Sequence, residues 1–185
     1  MGDRWHENTL WTSTYIWLPL EFQGTAENPE VSMQYRDIWA LDSISKTWRG
    51  SKTITLEPET LSMSNGARFV GCDGCSDRTA VGYLGGPEGG IVTFRGGLGK
   101  ACKACAKTTI VIVYVNGDRT SRYAWITVNG KKQKVEFPPS RNDQQISNIV
   151  IYGKLQPGSN NTIVVEGVDG QWAANIDKII LACAI

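Results

Sequence analysis

Five cysteines are the residues whose type and spacing most directly suggest chemistry in this 185-residue chain. Cys72 and Cys75 form one Cys-x-x-Cys pair, Cys102 and Cys105 form a second, and Cys183 stands apart. Two such pairs supply four soft sulfur ligands, so the spacing by itself is that of a zinc site with four thiolates.

The other reactive residue types exclude more than they suggest. The single histidine, His6, lies near the N-terminus, which excludes chemistry that needs two histidines. Aspartates and glutamates are plentiful, but no spacing singles out a pair for acid–base catalysis. The net charge of +1 excludes the strongly basic surface of a nucleic-acid-binding protein. The sequence also contains no apolar run of the ~18 residues that a membrane helix needs.

From Thr53 onward, apolar and β-branched runs alternate with turns rich in glycine, proline and asparagine. Thr108–Val115 is apolar on both faces, which is typical of a central strand covered on both sides. Asn129-Gly130 between Tyr123–Val128 and Lys131–Phe137 predicts a hairpin, because both turn residues need positive φ. We predict further strands over 68–71, 79–84, 91–94, 146–152, 162–168 and 176–182. Short, evenly spaced strands without a helical period predict an all-β antiparallel sandwich or barrel.

The N-terminal part differs from the rest in composition. Five of the seven tryptophans lie in the first 48 residues, whereas eighteen of the twenty glycines lie from Gly50 onward. Tyr15–Phe22 and Val31–Leu41 alternate and predict extended chain, with Pro19 placing the first run at a sheet edge. We therefore divide the chain into a Trp-rich β arm, residues 1–52, and a β-sandwich, residues 53–185. The arm is too short to be a domain alone, so we expect it to pack on the sandwich or on a partner.

Several segments, taken in order, carry a family resemblance. NGDRTSRYAWITVNGKKQKVEFPPS, GKLQPGSNNTIVVEG and NIDKIIL together resemble the carbohydrate-binding modules of families 6 and 35. In the arm, YIWLPLEF, YRDIWALD and TW resemble the last strands of a family 43 glycoside hydrolase propeller, as in fungal exo-β-1,3-galactanases. The resemblance implies a jelly-roll, galactose-binding-like sandwich. It also implies binding without hydrolysis, because the propeller's catalytic carboxylates lie in strands absent here.

The resemblance implies a structural calcium ion. In these modules a Glu-x-Glu pair on the first strand and an aspartate on the last hold the ion, and Glu57, Glu59 and Asp177 match those positions. Oxygen ligands suit Ca²⁺, and residues two apart on a strand point to one face. Pro58 between the glutamates removes only a backbone donor. The alternative is that these carboxylates form a solvated edge.

The resemblance also implies a sugar site near the loop Asp169–Asn175. An aromatic face stacks on the C–H face of a pyranose, while amides and carboxylates bind its hydroxyls. In the resembling families an aromatic residue and an asparagine of this loop bind sugar, which favours Trp172 and Asn175. The alternative for Trp172 is a cap on the core. Four other residues could line the same end, although packing or surface pairing is the commoner role for most of them: Tyr83, Asp118, Arg119 and Arg122.

The resemblance to secreted hydrolases offers a second interpretation of the cysteines. Secreted modules form disulfides, here within or between the two pairs, whereas a cytosolic chain would hold thiols or zinc. We favour disulfides, keep zinc at Cys72, Cys75, Cys102 and Cys105 as the alternative, and expect Cys183 to be a buried free thiol. Asn160 begins an N-glycosylation sequon that matters only in a secreted chain. The resemblance implies an extracellular location, but no secretion signal is visible, so a cytoplasmic location stays open.

These observations together predict a non-catalytic, lectin-like protein that binds galactose-containing glycans or β-galactan. We expect no nucleic acid and no membrane span among its partners. A homodimer through the arm would bury apolar surface and add avidity. The alternatives are a targeting fragment of a galactan-degrading glycoside hydrolase, a protein-interaction or immunomodulatory sandwich that binds no sugar, and a small hydrolase with an unrecognised site.

Overall fold

The computed structural model describes residues 2–4, 14–36, 38–50, 52–56, 61–96, 105–158 and 160–183. The chain forms two compact units, residues 1–51 and residues 52–185. Within the described ranges, no helix is long and apolar enough to cross a bilayer.

The described part of the first unit forms three antiparallel two-stranded ribbons. Its strands are β1 (Gly2–Arg4), β2 (Thr14–Ile16), β3 (Glu21–Gly24), β4 (Pro29–Ser32), β5 (Trp39–Asp42) and β6 (Thr47–Gly50). They pair in sequence order, β1 with β2, β3 with β4 and β5 with β6.

The arm is extended, but the two long runs predicted there are each interrupted. Trp17–Leu20 separates β2 from β3, and the buried Pro19 lies in the middle of this break. A proline has no N–H to give to a sheet ladder, so it ends pairing here rather than forming an edge strand. The second run divides into β4 and β5.

The second unit is an antiparallel sandwich of two sheets. Its strands are β7 (Lys52–Leu56), β8 (Leu61–Ser64), β9 (Arg68–Gly71), β10 (Thr79–Gly82), β11 (Ile91–Gly96), β12 (Cys105–Val115), β13 (Arg122–Val128), β14 (Lys131–Phe137), β15 (Ser147–Leu155), β16 (Asn161–Gly167) and β17 (Asn175–Cys183). One sheet has the order β15-β12-β17-β10-β9, with β7 also paired to β17, and the other has the order β14-β13-β16-β11-β8. The predicted all-β sandwich is confirmed.

Alternate residues of each sheet meet in one core. Ile112, Ile176 and Leu181 from the six-stranded sheet are fully buried, as are Phe94 and Ile126 from the five-stranded sheet. Fully burying a side chain of this size contributes about 1.5–3 kcal/mol. The alternation that predicted these strands therefore reflects a core between the two sheets.

The central strand β12 is apolar on its second face for a local reason. Val115 packs on the outer side of the sheet against Cys72, Cys75 and Ala80, which form a small second cluster. The loop after β9 thus covers the outer face of β12 at its C-terminal end, the face that is turned away from the core.

The predicted Asn129-Gly130 hairpin is confirmed. Asn129 has φ 47° and Gly130 has φ 85°, and the flanking strands pair with Val128 opposite Lys131. The predicted strand over 79–84 ends at Gly82, because Tyr83 has φ 57° and leaves the sheet. Tyr83 thus lies at the end of the sandwich where the loop before β17 also lies.

Candidate functional site

Two aromatic side chains meet where β10 ends and β17 begins. Tyr83 follows β10 directly, and Trp172 lies three residues before β17. Their ring centroids are 5.8 Å apart and the rings are inclined at 87°, an edge-to-face pair. Trp172 is 42% exposed and Tyr83 43% exposed. The pair therefore forms a corner of two aromatic surfaces that solvent can reach.

Glycine backbone supports the indole of Trp172. Gly85 forms β-bridges with both Gly90 and Trp172, and the N–H of Gly86 donates to the Gln171 carbonyl at 3.1 Å. Gly86 has φ +64°, and a Cβ on it would stand against the six-membered ring of Trp172. The indole thus lies directly on the Gly86 backbone, which only glycine permits in this conformation.

Arg68 adds a cation to the aromatic corner. Its guanidinium carbon lies 3.3 Å from the centroid of the Tyr83 ring, and Arg68 Nη1 donates to the Gly66 carbonyl at 3.4 Å. The carboxylate of Glu88 fills the space where a side chain on Gly66 would stand, so both charged groups lie at the same turn. Neither Arg68 nor Glu88 was among the residues that the sequence predicted.

Asn175 lies beside this group on the outer face of the six-stranded sheet. Its neighbour Ile176 and the partner strand's Val81 face the core, so Asn175 and Gly82 face outward. Asn175 Oδ1 is 3.0 Å from the position that a Cβ on Gly82 would take. Arg68 pairs with Gly82 from the other side. Val70 Cγ1 is 2.9 Å from the same Cβ position, so the absence of a side chain on Gly82 lets Asn175 and Val70 pack closely on its backbone. We call Trp172, Tyr83, Arg68 and Asn175 the aromatic site.

Asp118 and Arg122 brace the aromatic site. Arg122 Nε donates to Asp118 Oδ2 at 2.7 Å, and Arg122 Nη1 donates to the Ala173 carbonyl at 3.0 Å. The pair therefore fixes the residue that follows Trp172. Arg119 is exposed in the same turn. Direct contact of these three side chains with a sugar stays a prediction.

Asp177, the predicted calcium ligand on β17, is fully buried. The N–H of Ser76 donates to Asp177 Oδ1 at 2.8 Å, and Lys178 Nζ donates to the Ser76 hydroxyl at 2.6 Å. Asp177 Oδ2 is buried and has no hydrogen-bond partner among the described residues. Burial raises the pKa of this carboxyl, against the effects of the Ser76 hydrogen bond and the Lys178 charge.

A buried carboxylate oxygen without a donor is the kind of group that a hard cation satisfies. Asp177 therefore fits the predicted role. Glu57 and Glu59 lie outside the described residues, and the described ranges contain no group of three or more metal-ligating side chains. The last described residue of β7, Leu56, pairs with Ile179, two residues from Asp177.

A disulfide joins Cys72 and Cys75, as predicted for a pair of this spacing in a secreted module. Both residues are buried, and Cys75 immediately precedes Ser76, the donor to Asp177. Sulfurs in a disulfide are not thiolates, so a zinc site at all four cysteines would first require this bond to be reduced. Cys102 and the side chains of Cys105 and Cys183 lie outside the described residues.

No protein-family model and no curated protein matches this chain. Among solved structures, the exo-β-1,3-galactanase of Phanerochaete chrysosporium with galactose is 28% identical with a TM-score of 0.69, and the match covers 97% of this chain and 40% of that one. This chain thus spans well under half of the galactanase's length.

Family 35 carbohydrate-binding modules match the sandwich. The module from Clostridium thermocellum is 25% identical with a TM-score of 0.61, covering 71% of this chain and 98% of that one. A family 35 module from Cellvibrio japonicus, 16% identical with a TM-score of 0.57, covers 72% of this chain and 95% of that one and shows the shared fold. The chain therefore has the fold of a family 35 carbohydrate-binding module, joined to an N-terminal arm similar to part of a family 43 exo-β-1,3-galactanase.

Proposed function

We propose that this chain binds carbohydrate without catalysis of its own, through the aromatic site, and that β-1,3-galactan or another galactose-containing glycan is its ligand. The observation that carries this proposal is the solvent-accessible corner of Trp172 and Tyr83 at the end of a sandwich with a family 35 fold.

The arrangement suits a pyranose. The indole is held flat on the Gly86 backbone, so its exposed surface is available for stacking on sugar C–H groups. Arg68 offers guanidinium donors next to Tyr83, and Asn175 offers an amide next to Gly82. A few polar groups around an aromatic surface are typical of sites that fix the orientation of a small ligand.

The galactose preference rests on similarity rather than on the site itself. The similar galactanase structures hold galactose in one case and β-1,3-galactotriose in others. These ligands belong to that protein, and they supply the first compounds to test here.

Replacing Trp172 tests the proposal. Trp172→Ala removes the stacking surface, and for a central aromatic contact we expect a loss of about 2 kcal/mol, roughly 30-fold in Kd. Titration calorimetry with β-1,3-galactooligosaccharides measures the change. Trp125→Ala is the matched control, because Trp125 lies on the outer face of the five-stranded sheet, between the core residues Ala124 and Ile126, where Lys132 Nζ is 5.0 Å from its ring centroid.

Equal affinity of the Trp172 variant and the wild type would contradict the assignment of the site. A glycan array on the wild-type chain tests the ligand class separately. Binding to other glycans with none to galactose-containing ones would contradict the preference, and no binding at all would favour the protein-interaction alternative.

We also propose that Asp177, together with Glu57 and Glu59, holds a structural calcium ion. The buried Asp177 oxygen without a donor supports this proposal. We expect Ca²⁺ to raise Tm by several degrees over chelated protein, and Asp177→Asn to remove that response. Asp169→Asn, a change at an exposed loop position, is the control and keeps the response. A Ca²⁺ response of the same size in Asp177→Asn would contradict the ligand role.

The match to the galactanase favours a second candidate function. Because the match extends over 97% of this chain, including the arm, the chain could act as the targeting part of a galactan-degrading hydrolase. Sequencing the complete transcript shows whether a catalytic domain precedes the arm. Release of galactose from β-1,3-galactan by this chain alone would contradict the non-catalytic proposal.

The homodimer through the arm and the extracellular location stay predictions. Light scattering of the purified chain measures its mass in solution, and a monomer at all accessible concentrations would contradict the dimer. Fractionation of the source cells decides the location.

A further inference from the structure

We propose that Asn160 carries an N-linked glycan, at the end of the sandwich opposite the aromatic site. This inference goes beyond sugar binding, because it concerns covalent modification of the chain itself. It rests on a sequence pattern together with the different environments of two neighbouring asparagines.

Asn160-Asn161-Thr162 satisfies the acceptor pattern of asparagine, any residue but proline, and a hydroxyl residue. No other asparagine in the sequence is followed two positions later by serine or threonine. Asn161 itself is excluded by this rule, because Ile163 stands at its second following position.

The structure separates the two asparagines in the same way. Asn161 is buried, and its Oδ1 accepts from Asn129 Nδ2 at 2.8 Å and from the Gln156 N–H at 2.7 Å. Its Nδ2 donates to the Gln156 carbonyl at 2.8 Å. Asn160 is exposed to solvent. The acceptor pattern therefore designates the side-chain nitrogen of Asn160, an exposed residue. The side-chain nitrogen of Asn161 is hydrogen-bonded within the fold.

The position of Asn160 leaves the aromatic site clear. Asn160 directly precedes β16 (Asn161–Gly167), and Trp172 lies in the loop that follows this strand. At about 3.4 Å per residue, a strand of this length separates its two ends by roughly 20 Å. A glycan at Asn160 therefore projects from the end of the sandwich remote from Trp172.

The same position places a glycan beside an exposed sheet edge. Gln156, which bonds to Asn161, is the first residue after β15, and β15 is the edge strand of the six-stranded sheet. Tyr152 on that strand, four residues before Gln156, is 53% exposed. Exposed apolar edge strands promote association between chains, and a bulky hydrophilic group close by opposes it.

The reaction needs a lipid-diphosphate-linked oligosaccharide as donor. The Asn160 amide nitrogen forms a bond to the anomeric carbon of the oligosaccharide, and the bond from that carbon to the diphosphate oxygen breaks. The amide nitrogen loses one proton, and the lipid diphosphate leaves.

Secretion of the full chain from a glycosylating yeast tests the inference. We expect intact-mass analysis to show one added oligosaccharide, which peptide N-glycosidase removes while converting Asn160 to aspartate. Asn160→Gln and Thr162→Ala abolish the added mass, whereas Thr162→Ser, which keeps the hydroxyl, retains it. The glycosylated and deglycosylated forms bind the same β-1,3-galactooligosaccharide with Kd values within about twofold.

Secreted, folded wild-type chain without added mass would overturn the modification, whether or not it binds sugar. Added mass that persists in Asn160→Gln would overturn the choice of residue. A large loss of affinity only in the glycosylated form would overturn the placement of the glycan at the end of the sandwich opposite the aromatic site. The mass measurements do not depend on sugar binding, so failure of the proposed function leaves them interpretable.

Discussion

At the scale of single residues, the geometry of the aromatic site depends on residue 86 being a glycine. Trp172 rests on Gly86, whose φ of +64° and lack of a Cβ allow the indole to approach the backbone. Gly89 in the same turn has φ +67° but nothing within contact distance of its Cβ position. The two glycines share a conformation and differ in their surroundings, which makes them a matched pair.

We predict that Gly86→Ala weakens sugar binding at least tenfold, because the new methyl group displaces the indole. Gly89→Ala introduces a comparable backbone strain of about 1–2 kcal/mol without that contact, so its affinity stays near that of the wild type. Calorimetric titration of both variants measures the difference. Equal affinities would show that the position of Trp172 on Gly86 does not determine binding.

The sequence predicts some residues of the aromatic site and misses others. The prediction of Trp172 and Asn175 comes from the family resemblance, because an aromatic residue and an asparagine before the last strand bind sugar in the resembling modules. Arg68 is missed, because its contact with Tyr83 depends on the register between β9 and β10 and on the positive φ of Tyr83. The identity of a residue does not reveal which residue of the neighbouring strand it pairs with.

At the scale of elements, the loop Cys72–Arg78 connects two features that lie far apart in sequence. The Cys72 N–H donates to the Arg78 carbonyl at 2.9 Å, which closes the loop, and the disulfide crosses its first part. The loop delivers the Ser76 N–H to Asp177 and covers Val115. Its conformation therefore supports both the small outer cluster and the proposed calcium ligand.

We predict that replacing Cys72 and Cys75 together by alanine destabilises the sandwich by about 2 kcal/mol, the chain-entropy value for so short a closed loop. For a unit of this size that corresponds to a fall in Tm of roughly 5–8 °C. Differential scanning calorimetry measures it, with reduced and oxidised wild type as references. An unchanged Tm would mean that the hydrogen bonds hold the loop without the disulfide.

The strands themselves were largely predictable, for a physical reason. Strands that pack one face on the core alternate in the sequence, and the glycine-rich turns between them mark their ends. The strand β8 (Leu61–Ser64) escaped prediction because it has only four residues, two of them serines on its exposed face. The runs in the arm were extended too far, since alternation continues across the break at Pro19.

At the scale of the whole molecule, the two units differ in how much they bury. The core residues belong to the sandwich, whereas Pro19 is the only buried residue among those described in the arm. Ile44 is 93% exposed and Phe22 74% exposed. Two-stranded ribbons are marginally stable on their own, so the ribbons that the structure describes give the arm little stability of its own.

We predict that residues 52–185 alone fold cooperatively and bind sugar with a Kd within about twofold of the full chain. We expect the isolated arm, residues 1–51, to show no cooperative unfolding transition. Circular dichroism during heating and calorimetric titration measure these properties. A sandwich fragment that fails to fold, or that folds and loses affinity, would show that the arm contributes to the module's stability or to its site.

The pairing of β7 with β17 has a consequence for how the sandwich can be attached to other chains. Lys52, where the sandwich begins, is the partner of Cys183 near its end, and paired Cα atoms in an antiparallel ladder are about 5 Å apart. The chain therefore enters and leaves the sandwich at neighbouring points. Because β17 starts at Asn175 and runs away from Trp172, these points lie at the other end of that strand from the aromatic site. We expect the proposed sugar site to stay accessible when another protein is attached at either point.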